Sequence, residues 1–420
     1  MKWLSKIWNY DFRFSGERFS YISATWVVLI ALCLVFGFFD LTMDTAAGFY
    51  HDVLRWVGNG DRPFKNLSDQ QFERIGYAAL AVLFVYIAGL ALLSFRKSYR
   101  EHGPKEFAPI FWAHFLSNVV GMAGTFLFFA LLGGIAYALG FTYDDGTRAI
   151  QAAVGNFETW VKEHIPTLVN VPYPFAILGG VFIGALPGYF VHWLCHKSRL
   201  LWYLSHRCHH TAEIMHPAGI GPFMFLPEIF SAIPGVLLSA AASKLFYFEA
   251  MTEEAFILAF FGILTEKFNH NSAFYDFAHR NIIVRQLSHY YGNGVYHYTH
   301  HTSKQGDEIV NVGGNPWMIW DRIFGTYRIP PKEAPKVGLT NNPIIRLSPF
   351  KIMFSGFEQI AYELRMNKSW LVRFKILFGD IYYKPPISKD YLIVGYREAQ
   401  TNDTLEAAIV EAQPAIAQII

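Results

Sequence analysis

The sequence predicts an all-α, polytopic membrane protein with about four to six transmembrane helices. Two observations lead there. Hydrophobic residues make up 53% of the chain and charged residues only 16%, against roughly 25% charged in an ordinary soluble domain. Apolar runs also recur near the length of about 20 residues that a helix needs to cross about 30 Å of hydrocarbon. A net charge of +2 offers no basic surface for nucleic acid. Three cysteines, Cys33, Cys195 and Cys208, cannot form a paired disulfide framework, and all three read as reduced.

Residues 1–20 mix Lys2, Lys6, Arg13 and Arg18 with aromatics and carry no signal-peptide cleavage site. The first apolar run is about Tyr21 to Phe39, the second Gly76 to Phe95, and the third Ile110 to Leu139, whose glycines allow a tilt or kink. The fourth is Phe175 to Trp193. Two more, Phe223 to Ala242 and Ala255 to Leu264, form either a re-entrant hairpin or two tilted spans. Residues 1–178 are thus an N-terminal transmembrane region. Residues 179–330 form a histidine-rich catalytic region and 331–420 a cytosolic, amphipathic C-terminal region. Within the last, Ile345 to Phe378 reads as amphipathic helices able to lie on a membrane surface.

Basic residues near the spans set orientation. The short segment Arg96 to Glu106 holds Arg96, Lys97, Arg100 and Lys105, and belongs in the cytosol. Gly140 to Pro174 is richer in acids and belongs outside. The N-terminus is then cytosolic and the fourth span returns to the cytosol at His192. If the fifth and sixth runs come back to the same side, all the clustered histidines share one face. For a bacterial chain the membrane would be the inner one.

Twelve of the sixteen histidines fall between His192 and His301. They form three words, His192-Trp-Leu-Cys-His196, His206-Arg-Cys-His209-His210 and His297-Tyr-Thr-His300-His301, with His270 after Asn269 between the last two. Spacings of three and four put imidazoles on one face of a helix. Neutral imidazole suits iron, zinc, copper or nickel. Eight histidines, or nine with His270, exceed one ion's needs and point to a site for two. His289 is a further ligand candidate, though Gly292-Asn293-Gly294 separates it from the third word. His216 reads as a loop or channel residue, and His51, His102, His114, His164 and His279 as ordinary surface or core histidines. Cys195 and Cys208 read as packing residues. Neutral ligands cancel no metal charge, so nearby carboxylates are expected; Glu213, Glu266, Asp276 and Asp321 are the candidates, Glu213 and Asp321 foremost.

The pattern HxxxH, HxxHH, Asn-His and HxxHH resembles the fatty acid hydroxylase and sterol desaturase superfamily. Asn311-Val312-Gly313 and Trp320-Asp321-Arg322-Ile323-Phe324-Gly325-Thr326-Tyr327 resemble that family's ending. Trp370 to Pro386 is similar to the tail of its sterol desaturase-like and alkylglycerol monooxygenase-like members. One departure is Phe274, where some hydroxylases repeat a histidine four after the position of His270. The resemblance implies a non-haem di-iron site held by His192, His196, His206, His209, His210, His270, His297, His300 and His301. It implies dioxygen as co-substrate, a membrane lipid as substrate, and electrons from a separate reductase through cytochrome b5 or ferredoxin. The expected reaction is hydroxylation of a lipid C–H bond. Desaturation at the same site and a zinc-dependent, non-redox lipid enzyme are the alternatives.

Overall fold

A computed structural model describes residues 69–216, 226–252, 272–283 (side chains from Arg96 onward), 294–304, 309–313, 318–339 and 348–388, with 254, 255, 258, 259, 270, 285 and 286. The apolar run at 21–39, most of 255–264, and Cys33, His51, Glu266 and His289 lie outside them. Among the described residues every regular element is helical, and the single pairing of extended backbone is an isolated bridge between Thr302 and Val337.

Helix α1, Asp69–Ala138, contains the second and third apolar runs and is interrupted at one residue, Gly103 (φ 71°, ψ 168°). The following Pro104 disfavours helical backbone at the residue before it, and glycine accepts the positive φ. The basic segment expected as a loop is therefore helical on both sides of a single break. Its arginines, lysines and glutamates are good helix formers, so only Gly103-Pro104 stops the helix.

Helix α2, Tyr143–His164, starts with a capping box. The Thr142 hydroxyl accepts from the Asp145 N–H, and the Asp145 carboxylate accepts from the Thr142 N–H. Helices α3, Tyr173–Gly184, and α4, Leu186–Cys195, form one apolar length, with Pro187 in the first turn of α4. Helix α5, Leu226–Phe246, packs closely against α3. A Cβ on Gly184 would stand 2.5 Å from Ser239 Cβ and 2.7 Å from the Gly235 carbonyl oxygen. Small residues here let the two backbones touch, as in helix pairs that associate in lipid.

Among the described residues two lengths of helix are long and apolar enough to cross a membrane, Lys105–Ala138 and Tyr173–Cys195. Only 6% of the apolar window of the first is buried within the protein. Phe126, Leu127 and Leu131 are among its exposed side chains. A core helix would hide such residues; a helix that faces lipid displays them.

The remaining helices are α6, Ser272–Arg280, α7, Val295–His300, α8, Ile319–Phe324, α9, Pro349–Met366, and α10, Trp370–Phe378. The tail does more than the amphipathic pattern predicts. Helix α9 turns Ile352 and Met353 into a core with Phe107, Ile110, Cys208 and Ile214. Its Ile360 joins Trp202, Tyr203, Ile376 and Ile381 in a second core. Gly356 permits the approach, since a Cβ there would collide with the Tyr203 carbonyl. Helix α10 keeps Trp370, Phe374 and Phe378 exposed.

A buried ion pair fastens this tail to the histidine-rich region. Arg199 and Glu363 are both fully buried, with Nη2 2.9 Å from Oε2. Arg199 also donates to the Tyr383 carbonyl. Glu363 Oε1 accepts from Gln359 and from Ser388. Arg199 lies three residues after His196 and seven before His206, so the clamp sits on the segment that joins the first two histidine words.

Candidate metal centre

The three words are carried on three short pieces of backbone. His192 is in the last turn of α4 and His196 caps its C-terminus. A single turn, Arg199–Leu201, leads into a π-helical turn, Trp202–His206, and then a 3₁₀ turn, Arg207–Thr211. Bulges of π type are rare and concentrate at functional sites. Trp202 and Tyr203 in this turn are buried in the core that α9 and α10 complete. His297 and His300 lie on α7, and His301 caps it. Gly294, with φ 63°, starts that helix, and Val295, Tyr296 and Tyr298 anchor its other face beside Met215, Tyr275 and Met318.

The nine histidines of the words and His270 come together in two groups. His192, His196, His206, His210 and His300 form one; His209, His270, His297 and His301 form the other. Within each group the ligand atoms lie within 4.8 Å of one another. The groups adjoin: the His210 and His301 rings stack with centroids 4.2 Å apart. The spacing i, i+3, i+4 suggested one face per word. Instead, the second and third words each serve both groups. In both words the i and i+4 rings go to one group and the i+3 ring to the other: His209 parts from His206 and His210, and His300 from His297 and His301.

The atoms that converge are Nε2. His206 Nε2 lies 2.9 Å from that of His196, 3.1 Å from that of His192 and 3.2 Å from that of His210. His300 Nε2 is 3.1 Å from that of His196. In the second group His270 Nε2 lies 3.0 Å from that of His297, 3.1 Å from that of His209 and 3.2 Å from that of His301. Two of the rings have their tautomer fixed from behind. His192 Nδ1 donates to the Val312 carbonyl at 2.7 Å, and His300 Nδ1 to the Val310 carbonyl at 3.0 Å. Their Nε2 atoms then carry lone pairs.

So many nitrogens at this separation cannot all be hydrogen-bonded to one another, because each contact needs one proton and each neutral ring has one. Protonating the rings does not help. Burial first, then neighbouring imidazoles, holds His196, His206 and His210 well below the ordinary histidine range. The same causes act on His297, His300 and His301. The buried Nδ1 atoms of His196 and His206 have no hydrogen-bond partner among the described residues. Lone pairs that face one another at about 3 Å fit a shared cation: ligands at about 2.1 Å and right angles stand about 3.0 Å apart. Both groups consist of histidine alone among the described residues.

Asp321 reaches the centre through the backbone. Its carboxylate accepts from the N–H groups of Val312 at 2.7 Å and Gly313 at 2.9 Å, and from the Thr326 hydroxyl at 2.7 Å. Burial pushes this carboxyl up from its ordinary value, against the pull of those bonds. Asn311, at φ 53°, donates to the Arg328 carbonyl and accepts from the Arg328 N–H. The 311–313 turn and the 320–327 segment therefore form one frame, which aims the Val310 and Val312 carbonyls at two histidines. The expectation of a carboxylate on a ring nitrogen is replaced, at Asp321, by a carboxylate that holds the carbonyls. Glu213 and Asp276 line a neighbouring cavity, and Lys97 pairs with Asp276 at 2.6 Å.

The remaining histidines separate. Cys195 and Cys208 are buried packing residues, as expected. His279 bonds the Tyr275 carbonyl and stacks on its ring. His216, read as a loop or channel residue, is buried against His114 with Nε2 3.2 Å from Nδ1. Phe107 and Phe111 surround the pair. Their separation of 102 residues leaves no local signal from which to find it.

Among the described residues the molecule is thus all-helical, with two apolar helices long enough to cross a membrane and a buried histidine cluster that could hold metal. Comparison with known proteins agrees. Residues 177–326, which hold the histidine-rich region, match the fatty acid hydroxylase family model. The chain is also similar to ornithine lipid hydroxylase OlsE of Rhizobium tropici, 27% identical over 176 residues. That match covers 40% of this chain, which spans about half the length of the relative (47%). No solved structure matches the chain.

Proposed function

We propose that the protein is a multi-pass membrane oxygenase that hydroxylates a lipid C–H bond at a di-iron centre facing the cytosol. The observation that supports this best is the convergence of nine Nε2 atoms in two adjoining groups within a fatty acid hydroxylase domain. His192, His196, His206, His210 and His300 would hold one ion, and His209, His270, His297 and His301 the other. Bound iron would supply the dioxygen chemistry needed to break an unactivated C–H bond. The balance is one C–H bond and one dioxygen converted to an alcohol and water, with two electrons from a separate reductase, through cytochrome b5 or ferredoxin, and two protons from water.

The chain's own part is positional. The Val310 and Val312 carbonyls fix which nitrogen of His300 and His192 faces the centre. Burial keeps the rings neutral and therefore able to ligate. The apolar helices Lys105–Ala138 and Tyr173–Cys195 give a lipid tail a route that excludes water. Ornithine lipid, named for the Rhizobium tropici relative, is the first substrate to assay.

The test is metal analysis of purified protein together with dioxygen-dependent lipid turnover. Iron near two per chain and a hydroxylated product, both lost in His209→Ala, are expected. An alkene product would replace hydroxylation with desaturation. Zinc with dioxygen-independent activity, or wild-type turnover after His209→Ala, would overturn the reading.

A further inference from the structure

We infer that a charged cavity beside the histidine centre is a headgroup subsite for a lipid that carries an ammonium and an anion together. This rests on the lipid-hydroxylase reading above. The cavity holds about 720 Å³, within the roughly 300–1,000 Å³ of small-molecule sites. Ile214, Met215 and Tyr298 form an apolar part of its lining. Tyr298 stands on α7 between His297 and His300, and Met215 follows the second histidine word by five residues. Two of the three histidine-bearing segments therefore also build this cavity.

Its charges are mixed: five lysines and arginines against four acids. Lys97 is committed internally, to Asp276 at 2.6 Å and to the Ser272 carbonyl at 3.2 Å. Arg280, Lys332 and Lys336 have no ion-pair partner among the described residues and supply the anion-binding side. Glu213 and Glu333 supply the opposing side. A purely anionic headgroup would leave those glutamates facing like charge, and a purely cationic one would do the same to the arginine and lysines. A zwitterion satisfies both.

The position suits a lipid. Lys97, Glu101 and His102 enter the cavity from α1 just before Gly103, and the apolar length Lys105–Ala138 starts just after it. A headgroup in the cavity would sit at the polar end of that length, with its tail free to follow the apolar surface. Two lipid classes share the required chemistry. One has a phosphodiester with an amine, the other an amino-acid headgroup with a carboxylate and an amine.

The experiment measures lipid retained by the full-length protein from vesicles of phosphatidylethanolamine, ornithine lipid or phosphatidylglycerol, by native mass spectrometry. Wild type is expected to retain at least one zwitterion about tenfold better than phosphatidylglycerol; the better of the two identifies the source. Glu213→Gln with Glu333→Gln should shift preference toward phosphatidylglycerol. Arg280→Gln with Lys332→Gln should weaken retention of the zwitterion about tenfold. Both double variants should keep wild-type metal content, which checks folding and separates a headgroup role for Glu213 from support of the metal centre. Equal retention of all three lipids by wild type, or unchanged preference in both variants, overturns the inference. Failure of the oxygenase reading would look different: no dioxygen-dependent product, with the lipid preference intact.

Discussion

Two buried polar assemblies lie side by side in this protein, and they solve the same problem in opposite ways. The Arg199–Glu363 clamp places a full positive and a full negative charge together, then ties the first to a carbonyl and the second to an amide and a hydroxyl. Burial is tolerated because the protein supplies each charge with its opposite. The histidine centre gathers nine rings and, among the described residues, no acid. Its nitrogens face one another, and two have orphaned Nδ1 atoms behind them. The clamp balances its charges within the polypeptide, although the buried Arg199 Nε has no hydrogen-bond partner among the described residues. The histidine centre holds no opposite charge of its own among the described residues, and its facing lone pairs suit a cation.

Four substitutions sharpen or break this contrast. The largest effect is expected from His300→Ala, which removes a ring of the first group that also meets His301 of the second edge-on. Metal affinity should fall more than about 100-fold, beyond the range for outer partners, and turnover should reach background; metal analysis and product assay read both. Glu363→Ala strands Arg199 in the interior, and unfolding in detergent should show a loss of about 3–5 kcal/mol. Replacing both partners with apolar residues should recover much of that loss, whereas no apolar replacement should restore the histidine centre.

Asp321→Asn keeps the shape but presents an amide to two backbone donors, one of which must then go unpaired. The frame behind His192 and His300 loosens, and metal affinity should drop about 10–100-fold while the fold persists. The smallest effect concerns pH. Burial holds His216 at about 3 against an ordinary 6.5. Between those values the unfolded chain binds a proton that the folded one refuses, so its contribution is intact above about 6.5 and fades as pH falls toward about 3. Thermal unfolding of His216→Gln should show a shallower acid slope than wild type; an identical slope would remove His216 from the account.

Much of the centre was legible because histidine spacing is local. HxxxH and HxxHH announce a shared turn, and all nine residues they marked with His270 meet in space. Their division into groups was not legible, because residues three and four apart share a helix face whichever group they join. The role of Asp321 was hidden for a related reason: it acts through backbone N–H groups, which look alike in every sequence. The apolar lengths of α1 and α3–α4 were plain from composition. The inward turn of α9 was not, since an amphipathic pattern states that one face is apolar without stating whether protein or lipid covers it.

The sharing of words between groups has a consequence for how the centre assembles. His209 stands on the same 3₁₀ turn as His210, and His300 on the same short helix as His297. Ordering these segments to fill one group also freezes ligands of the other, so their conformational entropy is lost once rather than twice. Were each group to take an ion, filling one would favour filling the other, and a metal titration is expected to pass from empty to full with little half-loaded protein.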